Sequence, residues 1–232
     1  MDLFHQYPEK SFEVVYENQD LLIVNKPFFL PTAVGVDPSL CDYLFSSYPY
    51  IKSVNGFNKN DGGLLNRLDN ETGGIVLFAK NNDAFLYFRS VLSKGLVSKY
   101  YNAMVEGIIP QKNGIINKKI AHHNRDTKKM VIVDDNKHRS KERNALTEWE
   151  FVDSNDYYSM LNIRIKKGCR HQIRLHLSSI GFPIVNDKIY NKISPINPNF
   201  PHFLFAYRVI IPYYNDIIDV SINTPFSLIK SV

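Results

Sequence analysis

The pattern that most constrains the fold is a succession of short apolar runs joined by turn sequences. Residues 12–25 (FEVVYENQDLLIVN) contain two β-rich runs around the turn-like ENQD, and the following Lys-Pro pair ends the second run. Later segments with strand character, several of alternating polarity, are SKYYNAMVEG, MVIVDD, ALTEWEFVD and YSMLNIRIKK. Their connections suit hairpins better than helical crossovers, so we expect a mainly antiparallel sheet.

Two segments have the periodicity of helices. Residues 81–95 (NNDAFLYFRSVLSKG) begin with Asn or Asp capping candidates and end at a glycine. In residues 169–181 (CRHQIRLHLSSIG), the spacing of Ile173, Leu177 and Ile180 predicts a helix face directed at the core. With late strands in HFLFAYRVIIP and DIIDVSI, the sequence predicts an α+β fold with a mixed, mainly antiparallel β-sheet core flanked by helices and loops. No repeat or linker divides the chain, so we expect one domain over residues 1–232, with its core at about 12–222.

Composition argues against several classes of protein. The chain has 232 residues and is 44% hydrophobic, yet no apolar run approaches the roughly 18 to 20 residues of a membrane helix. The beginning, MDLFHQYPEK, lacks the basic end and apolar stretch of a secretory signal, so we expect a cytoplasmic protein that does not enter a membrane. Cys41 and Cys169 belong to no C-x-x-C pair and predict neither a disulfide framework nor a zinc knuckle.

Positive charge is concentrated in residues 118–143. This segment carries nine Lys or Arg against four acids, so its charge equals the net charge of +5 of the whole chain. Two interpretations are open: a solvated hairpin or loop, or a surface that follows a phosphate backbone. For the second interpretation we single out Lys128, Lys129, Arg139 and Lys141 as contacts to such a backbone.

The sequence contains no motif for nucleotide phosphates or catalytic zinc: G-x-x-x-x-G-K-[ST], G-x-G-x-x-G and H-E-x-x-H do not occur. His171 and His176 are five residues apart on the predicted helix, about 140° around its axis, which is poor geometry for binding one metal ion. We therefore expect no metal.

Asp69 lies in residues 64–80 (LLNRLDNETGGIVLFAK), between two apolar runs. On local chemistry the segment is a hairpin turn, in which Asp69 bonds the backbone and the glycines supply positive φ. The apolar neighbours would also hold it against the core, where a carboxylate is costly unless paired. Arg174 lies at the rim of the predicted core face of the second helix. It is either an ordinary surface arginine or the planar partner of such a carboxylate.

Taken together, these segments resemble the RluA-type pseudouridine synthases, which isomerise uridine to pseudouridine in ribosomal or transfer RNA. The matching blocks, in chain order, are VVYENQDLLIVNKP, NRLDNETGGIVLFAK, SKYYNAMVEG and GCRHQIRLHLSSIGFPIVNDKIY. The resemblance runs from about residue 12 to 222 and implies the pseudouridine synthase fold, no cofactor and an RNA partner. No segment resembles the small N-terminal RNA-binding (S4-like) domain of many relatives, and a monomer is the default expectation.

The resemblance also implies roles for individual residues. Asp69 would be the catalytic aspartate, Arg174 its basic partner, and Tyr101 would pack against the target uracil. Arg67 would stabilise the space that the extruded base leaves, and Ile173 would form part of the apolar floor of the site. Further candidates for contacts with the substrate RNA are Asn66, Thr72, Lys99 and Arg170.

Four positions depart from the usual family pattern. Asn66 stands where the family has histidine before R-L-D, and Gly73 occupies the middle of the usual T-S-G. Cys169 replaces the first arginine of G-R-x-H-Q, and Phe205 replaces the histidine of the late L-H-A. These changes spare Asp69 and so bear on substrate choice and RNA contacts more than on the reaction.

Two functions remain open at this point. One is an RNA pseudouridine synthase, in which Asp69 acts either as a nucleophile or as the base that removes a sugar proton. The other is a catalytically silent RNA-binding or RNA-folding module on the same scaffold. The presence of Asp69, Tyr101 and Arg174 together favours the enzyme, because RNA binding alone does not require an aspartate in a cleft that attracts RNA.

Overall fold

The computed structural model describes residues 12–35, 38–133, 141–193 and 195–226. These residues form two compact units, one made of residues 12–99 and 205–224 and the other of residues 100–204 and 225–226. We call them the aspartate unit and the arginine unit, after Asp69 and Arg174. The division does not test the expectation of a single catalytic domain, which stays a prediction.

The aspartate unit contains the predicted N-terminal hairpin and the first predicted helix. Its elements are β1 (Glu13–Glu17), β2 (Leu21–Lys26), α1 (Leu40–Ser47), a 3-10 helix (Pro49–Ser53), β3 (Gly73–Ala79), α2 (Asn82–Ser93), most of β10 (Leu204–Tyr213) and β11 (Asp216–Ser221). The strands pair in the order β1, β2, β3, β10, β11; the β3–β10 pair is parallel and the other pairs are antiparallel.

The core of the aspartate unit lies between its strands and α2. Alternate residues of β2 and β3, among them Ile23 and Leu77, pack with Phe85 and Phe88 of α2. Asn81 caps this helix as predicted, because its side chain accepts a hydrogen bond from the backbone of the first turn. Every residue of β3 is buried. The segment that carries Asp69 is therefore joined directly to the most buried strand of its unit.

The arginine unit contains the strands predicted in the middle of the sequence. Its elements are nearly all of β4 (Ser98–Glu106), β5 (Asn113–Asn117), β6 (Ile120–His122), β7 (Met130–Ile132), β8 (Leu146–Ser154), β9 (Tyr158–Ile165) and α3 (Gln172–Ser179). Strands β5, β8 and β9 form an antiparallel sheet with β4 beside β9, and β6 and β7 form a separate hairpin. The prediction of a mixed, mainly antiparallel fold is confirmed.

Helix α3 is shorter and more buried than the sequence predicts. It begins at Gln172 because His171, at its N-cap, has a φ of +54°. All residues from Gln172 to Leu177 are buried, and Arg174 is only 5% exposed, so the predicted rim position of this arginine is wrong. The buried polar residues of this helix have partners; Gln172, for example, donates to the backbone oxygen of Leu146 at 2.9 Å. Hydrophobic periodicity cannot reveal such partners. In the described part of the chain, no helix is long and apolar enough to cross a membrane.

Candidate active site

Asp69 follows a short irregular segment whose backbone is fixed by two side chains. Thr32 Oγ1 donates to the backbone oxygen of Leu68 at 2.9 Å and accepts from its backbone nitrogen at 3.2 Å. Asn66 Oδ1 accepts from the backbone nitrogen of Leu77 in β3 at 2.8 Å. The amide of Asn66, proposed above as an RNA contact, is thus bonded to β3. Asp69 is half-buried, and the backbone immediately before it is fixed by these hydrogen bonds.

The turn predicted after Asp69 is present. Thr72 donates its backbone N–H to the backbone oxygen of Asp69 at 3.0 Å. Gly74 has a φ of +111°, and a Cβ atom there would lie 2.2 Å from the backbone oxygen of Ala206 in the neighbouring strand. Only glycine combines that conformation with that close approach. The turn and the parallel β3–β10 pair therefore depend on Gly74.

Two of the departures from the family pattern are in contact. Gly73 and Phe205 are register partners in the β3–β10 pair, and a Cβ atom at Gly73 would lie 3.1 Å from the Phe205 ring and 3.2 Å from Phe28. A serine at position 73 would thus require the Phe205 ring to shift by a few tenths of an ångström. The two changes are mutually compatible in this chain.

Lys26, which no pattern in the sequence marks as part of the site, is a buried lysine beside the Asp69 turn. Its side chain is fully buried, and Nζ donates to the backbone oxygens of Leu30 (2.8 Å), Pro27 (2.9 Å) and Asn70 (3.3 Å). Burial lowers the pKa of Lys26 to about 7, while the charge of Asp69 opposes this shift. Because Asn70 directly follows Asp69, Lys26 connects the turn to the end of β2.

Arg174 is held within the arginine unit by a buried, bidentate ion pair with Asp187. Nε donates to Oδ2 at 2.7 Å and Nη2 donates to Oδ1 at 2.8 Å, and the two side chains are 6% and 0% exposed. Asp187 Oδ1 also accepts from the backbone nitrogens of Ile189 (2.9 Å) and Tyr190 (3.1 Å). Burial raises the pKa of the Asp187 carboxyl, but Arg174, with a smaller contribution from His202, outweighs it and holds the pKa below its ordinary value.

Tyr190 covers the face of the same guanidinium. The Cζ atom of Arg174 lies 5.4 Å from the centroid of the Tyr190 ring, within the range of cation–π contact. The Tyr190 hydroxyl accepts from the backbone nitrogen of Met130 at 2.8 Å and bonds to His171 Nδ1 at 2.8 Å. The orientation of Arg174 is therefore set both along one edge and over one face.

The other predicted site residues differ in exposure. Tyr101, Ile173 and Thr72 are buried, Lys99 is half-buried and Arg67 is exposed. Of these five, Arg67 thus has the greatest access to an RNA in solution.

Asp69 belongs to the aspartate unit, whereas Tyr101 and Arg174 belong to the arginine unit. The structure does not test the ion pair predicted between Asp69 and Arg174, which stays a prediction.

The basic segment folds in part as the β6–β7 hairpin. Lys128 and Lys129, between the two strands, are exposed, and so is Lys141; Arg139 lies outside the described residues. Arg170 is exposed as well, and its Nη1 donates to the backbone oxygen of Thr127 at 3.1 Å. The hairpin and the beginning of α3 thus present several cations to solvent within one unit.

Two other cations of this segment have structural partners. Lys118 Nζ donates to the backbone oxygen of Ser179 at the end of α3, at 3.2 Å. Lys119 forms an ion pair with Glu142 at 2.8 Å. Among the residues that the structure describes, no three His, Cys, Asp or Glu side chains are grouped to hold a metal ion.

Two solved structures resemble this fold. "Human RNA Pseudouridylate Synthase Domain Containing 1" superposes with a TM-score of 0.77 and 22% sequence identity, covering 98% of this chain and 94% of that one. "Human RNA Pseudouridylate Synthase Domain Containing 4" gives a TM-score of 0.71 and 21% identity, covering 91% and 88% of the two chains. The fold is that of pseudouridine synthases, as the sequence predicted.

Curated relatives are similar in sequence over most of this chain. A protein of Aquifex aeolicus named "Uncharacterized RNA pseudouridine synthase" is 28% identical over 207 residues, 87% of this chain. A protein of Pseudomonas aeruginosa named "Ribosomal large subunit pseudouridine synthase D" is 30% identical over 192 residues, 80% of this chain. The chain spans 63% of the length of the first of these relatives and 56% of the second.

The sequence model of the RNA pseudouridylate synthase family matches residues 20–179. This span includes Lys26, Asp69, Tyr101 and Arg174. The chain belongs to the RNA pseudouridylate synthase family.

Proposed function

We propose that this chain is an RNA pseudouridine synthase, an isomerase that converts selected uridines of ribosomal or transfer RNA into pseudouridine. The observation that carries the proposal is the presentation of Asp69. This carboxylate follows a backbone fixed by Thr32 and Asn66, beside the buried amine of Lys26. These contacts support the proposal because they fix the backbone from which the Asp69 carboxylate projects.

The reaction rearranges one nucleotide and needs no further reactant. The bond from ribose C1′ to uracil N1 breaks, the uracil turns, and C1′ bonds to C5. The hydrogen on C5 is lost as a proton and N1 gains one, so atoms and charge balance without a redox step. Ionised Asp69 serves either as a nucleophile or as the base that removes a sugar proton, and both routes require the carboxylate to meet the ribose.

Arg174 supports this chemistry as the proposed cationic partner of Asp69. A guanidinium has five N–H donors in a planar fork, so Arg174 can bind a second carboxylate while it keeps Asp187. A nearby guanidinium favours the ionised form of a carboxylate. The proposed pair would thus keep Asp69 ready to react.

The target uridine has to leave its stack to reach the aspartate. Extruding a base costs a few kcal/mol, and stacking on an aromatic ring returns about 1 to 3 kcal/mol. We propose that Tyr101 stacks on the uracil and that Ile173 forms the floor of the pocket. The exposed Arg67 would fill the space that the extruded base leaves in the RNA. The backbone of the RNA would follow the exposed cations of the arginine unit: Lys128, Lys129, Lys141 and Arg170.

The name of the Pseudomonas relative makes large-subunit ribosomal RNA one candidate substrate, and transfer RNA is the other. We expect the protein to act in the cytoplasm as a monomer and without a cofactor.

The test is Asp69→Asn, measured as pseudouridine formed by purified protein in RNA that lacks the modification. The matched control is Asp83→Asn, which removes an exposed carboxylate from α2 of the same unit. Asp69→Asn should fold, bind RNA and form no pseudouridine, whereas Asp83→Asn should resemble the wild type. Turnover near the wild-type rate in Asp69→Asn would overturn the assignment.

A further inference from the structure

Asn66 lies where the chain leaves a short ladder along one edge of β3. Just before it, Leu65 donates its backbone N–H to the backbone oxygen of Leu77 in β3 at 2.9 Å, as in a regular antiparallel pair. Just after it, the chain turns through Asp69 and returns as β3, which begins at Gly73. Asn66 is therefore the residue at which the main chain departs from the sheet to form the Asp69 turn.

The side chain of Asn66 continues the ladder after the main chain has left it. A regular antiparallel pair would next join the backbone nitrogen of Leu77 to the backbone oxygen of Leu65. The following bond would join the backbone oxygen of Ile75 to the backbone nitrogen of Arg67. Instead, Asn66 Oδ1 accepts from the Leu77 nitrogen at 2.8 Å, and Nδ2 donates to the Ile75 oxygen over a longer 3.4 Å. The side-chain amide thus takes the place of a peptide group beside β3.

The two backbone groups that Asn66 satisfies belong to buried residues. Ile75 and Leu77 are 3% and 1% exposed. A buried backbone N–H or C=O group needs a hydrogen-bond partner. Without the amide of Asn66, the main chain of residues 65–67 would have to stay against β3 to supply these partners. With the amide in place, the main chain can leave the sheet and carry Asp69 beyond it.

We infer that Asn66 is a positioning residue for the proposed reaction and not a contact to the substrate RNA: its amide replaces the backbone beside β3, so that Asp69 projects from a fixed point. This role rests on the proposed function, in which Asp69 acts on the ribose. It also accounts for the histidine that is usual at this position. The Nδ1 atom of histidine and the Oδ1 atom of asparagine are both attached to Cγ, so a neutral histidine ring can accept the same N–H.

The β1–β2 hairpin offers a matched control. Asn18 Oδ1 accepts from the backbone nitrogens of Asp20 at 2.9 Å and Leu21 at 2.8 Å. Asn18 is half-buried in the aspartate unit, as Asn66 is, and it has no proposed part in the reaction. Asn18→Leu therefore removes side-chain bonds of the same kind and length from another turn of the same unit.

The experiment measures single-turnover pseudouridine formation at saturating RNA, with RNA affinity measured separately. Asn66→Leu keeps the approximate size of the side chain and removes its hydrogen bonds. It should lower the rate per folded molecule about 100-fold, as expected for a displaced reacting group, and change the RNA dissociation constant less than about threefold. Asn18→Leu should stay within about threefold of the wild type in both quantities. An equal loss of rate in Asn18→Leu would overturn the specific role of Asn66.

Asn66→His adds a readout that a loss of packing would not change. At pH 8 the ring is neutral and can accept from Leu77, so the rate should lie within about threefold of the wild-type rate. Below the pKa of the imidazole, ordinarily about 6.5, both ring nitrogens become donors. The rate relative to the wild type should therefore fall with the fraction of neutral imidazole, which NMR titration of the same variant measures.

A wild-type rate in Asn66→Leu would overturn the positioning role and leave the proposed function standing. Weaker RNA affinity with an unchanged rate at saturation would make Asn66 an RNA contact and would also overturn the role. If Asn66→Leu does not fold, Asn66→His decides, because a relative rate that does not follow the charge of the ring would overturn the role. A wild type that forms no pseudouridine would overturn the proposed function and, with it, this role.

Discussion

Replacing Lys26 by methionine should change how the stability of the protein depends on pH. Lys26 is fully buried, and burial lowers its pKa from 10.5 to about 7. The negative charge of Asp69 partly opposes this shift. In the unfolded chain the lysine is solvated and keeps its ordinary pKa. Between pH about 7 and 10.5 the unfolded state therefore binds more protons than the folded state. The contribution of Lys26 to the free energy of unfolding must rise with pH across this window.

The magnitude follows from the two pKa values. Where the unfolded state binds one more proton than the folded state, the free energy of unfolding rises by about 1.4 kcal/mol for each pH unit. Raising the pH from about 7 to about 10 should therefore increase the contribution of Lys26 to the free energy of unfolding by roughly 3 to 4 kcal/mol. Methionine is of similar length and does not titrate. The free energy of unfolding of the wild type, minus that of Lys26→Met, should therefore increase by this amount over the window.

The assay is urea unfolding followed by circular dichroism at several pH values between about 7 and 10. Lys80→Met is the control. Burial lowers the pKa of Lys80, but its bond to Glu17 at 2.6 Å, with the charges of Tyr50 and Glu17, outweighs burial and raises it. The stabilising contribution of Lys80 should therefore stay level up to about pH 10 and fall above it. A difference between wild type and Lys26→Met that is constant within about 1 kcal/mol from pH 7 to 10 would refute the reasoning about Lys26.

Two further predictions concern the RNA. Tyr101→Ala should slow pseudouridine formation by the loss of about 1 to 3 kcal/mol of stacking, whereas Tyr101→Phe should keep it; identical single-turnover rates for both variants and the wild type would exclude stacking. Replacing four cations by serine should weaken RNA binding and make the negative slope of log affinity against log salt concentration shallower by about 3. An unchanged slope would mean that the segment is a solvated loop that does not contact RNA. The four are Lys128, Lys129, Arg139 and Lys141. Four exposed cations of the aspartate unit, replaced in the same way, provide the charge-matched control: Lys52, Lys59, Arg89 and Lys94.

Much of the fold could be predicted because its signals are local. Helix α2 follows from the Asn81 cap and the spacing of apolar residues, and the β1–β2 hairpin follows from two strand-like runs around a turn. Helix α1 is not among the predicted elements, although Ser39 and Asp42 form a capping box at its start. The proline and tyrosine residues around that helix are typical of irregular structure, so the surrounding sequence does not indicate a helix.

The parts of the site that could not be predicted depend on contacts distant in the chain. The Lys-Pro pair indicated only the end of a strand, because the burial of Lys26 depends on the backbone of Leu30 and of Asn70. Periodicity placed Arg174 at a rim, since it counts apolar residues and cannot foresee that Asp187 would be buried opposite. Buried polar pairs are the feature that a pattern of hydrophobicity represents least well.

The central claim is that this chain forms pseudouridine with Asp69. Its most direct test is mapping of pseudouridine at nucleotide resolution in ribosomal and transfer RNA from cells that lack the gene, complemented with wild type or with Asp69→Asn. We predict one site, or a small set of sites, that loses pseudouridine without the gene, regains it with the wild type and stays unmodified with Asp69→Asn. Identical maps in all three strains, or restoration by Asp69→Asn, would contradict the account.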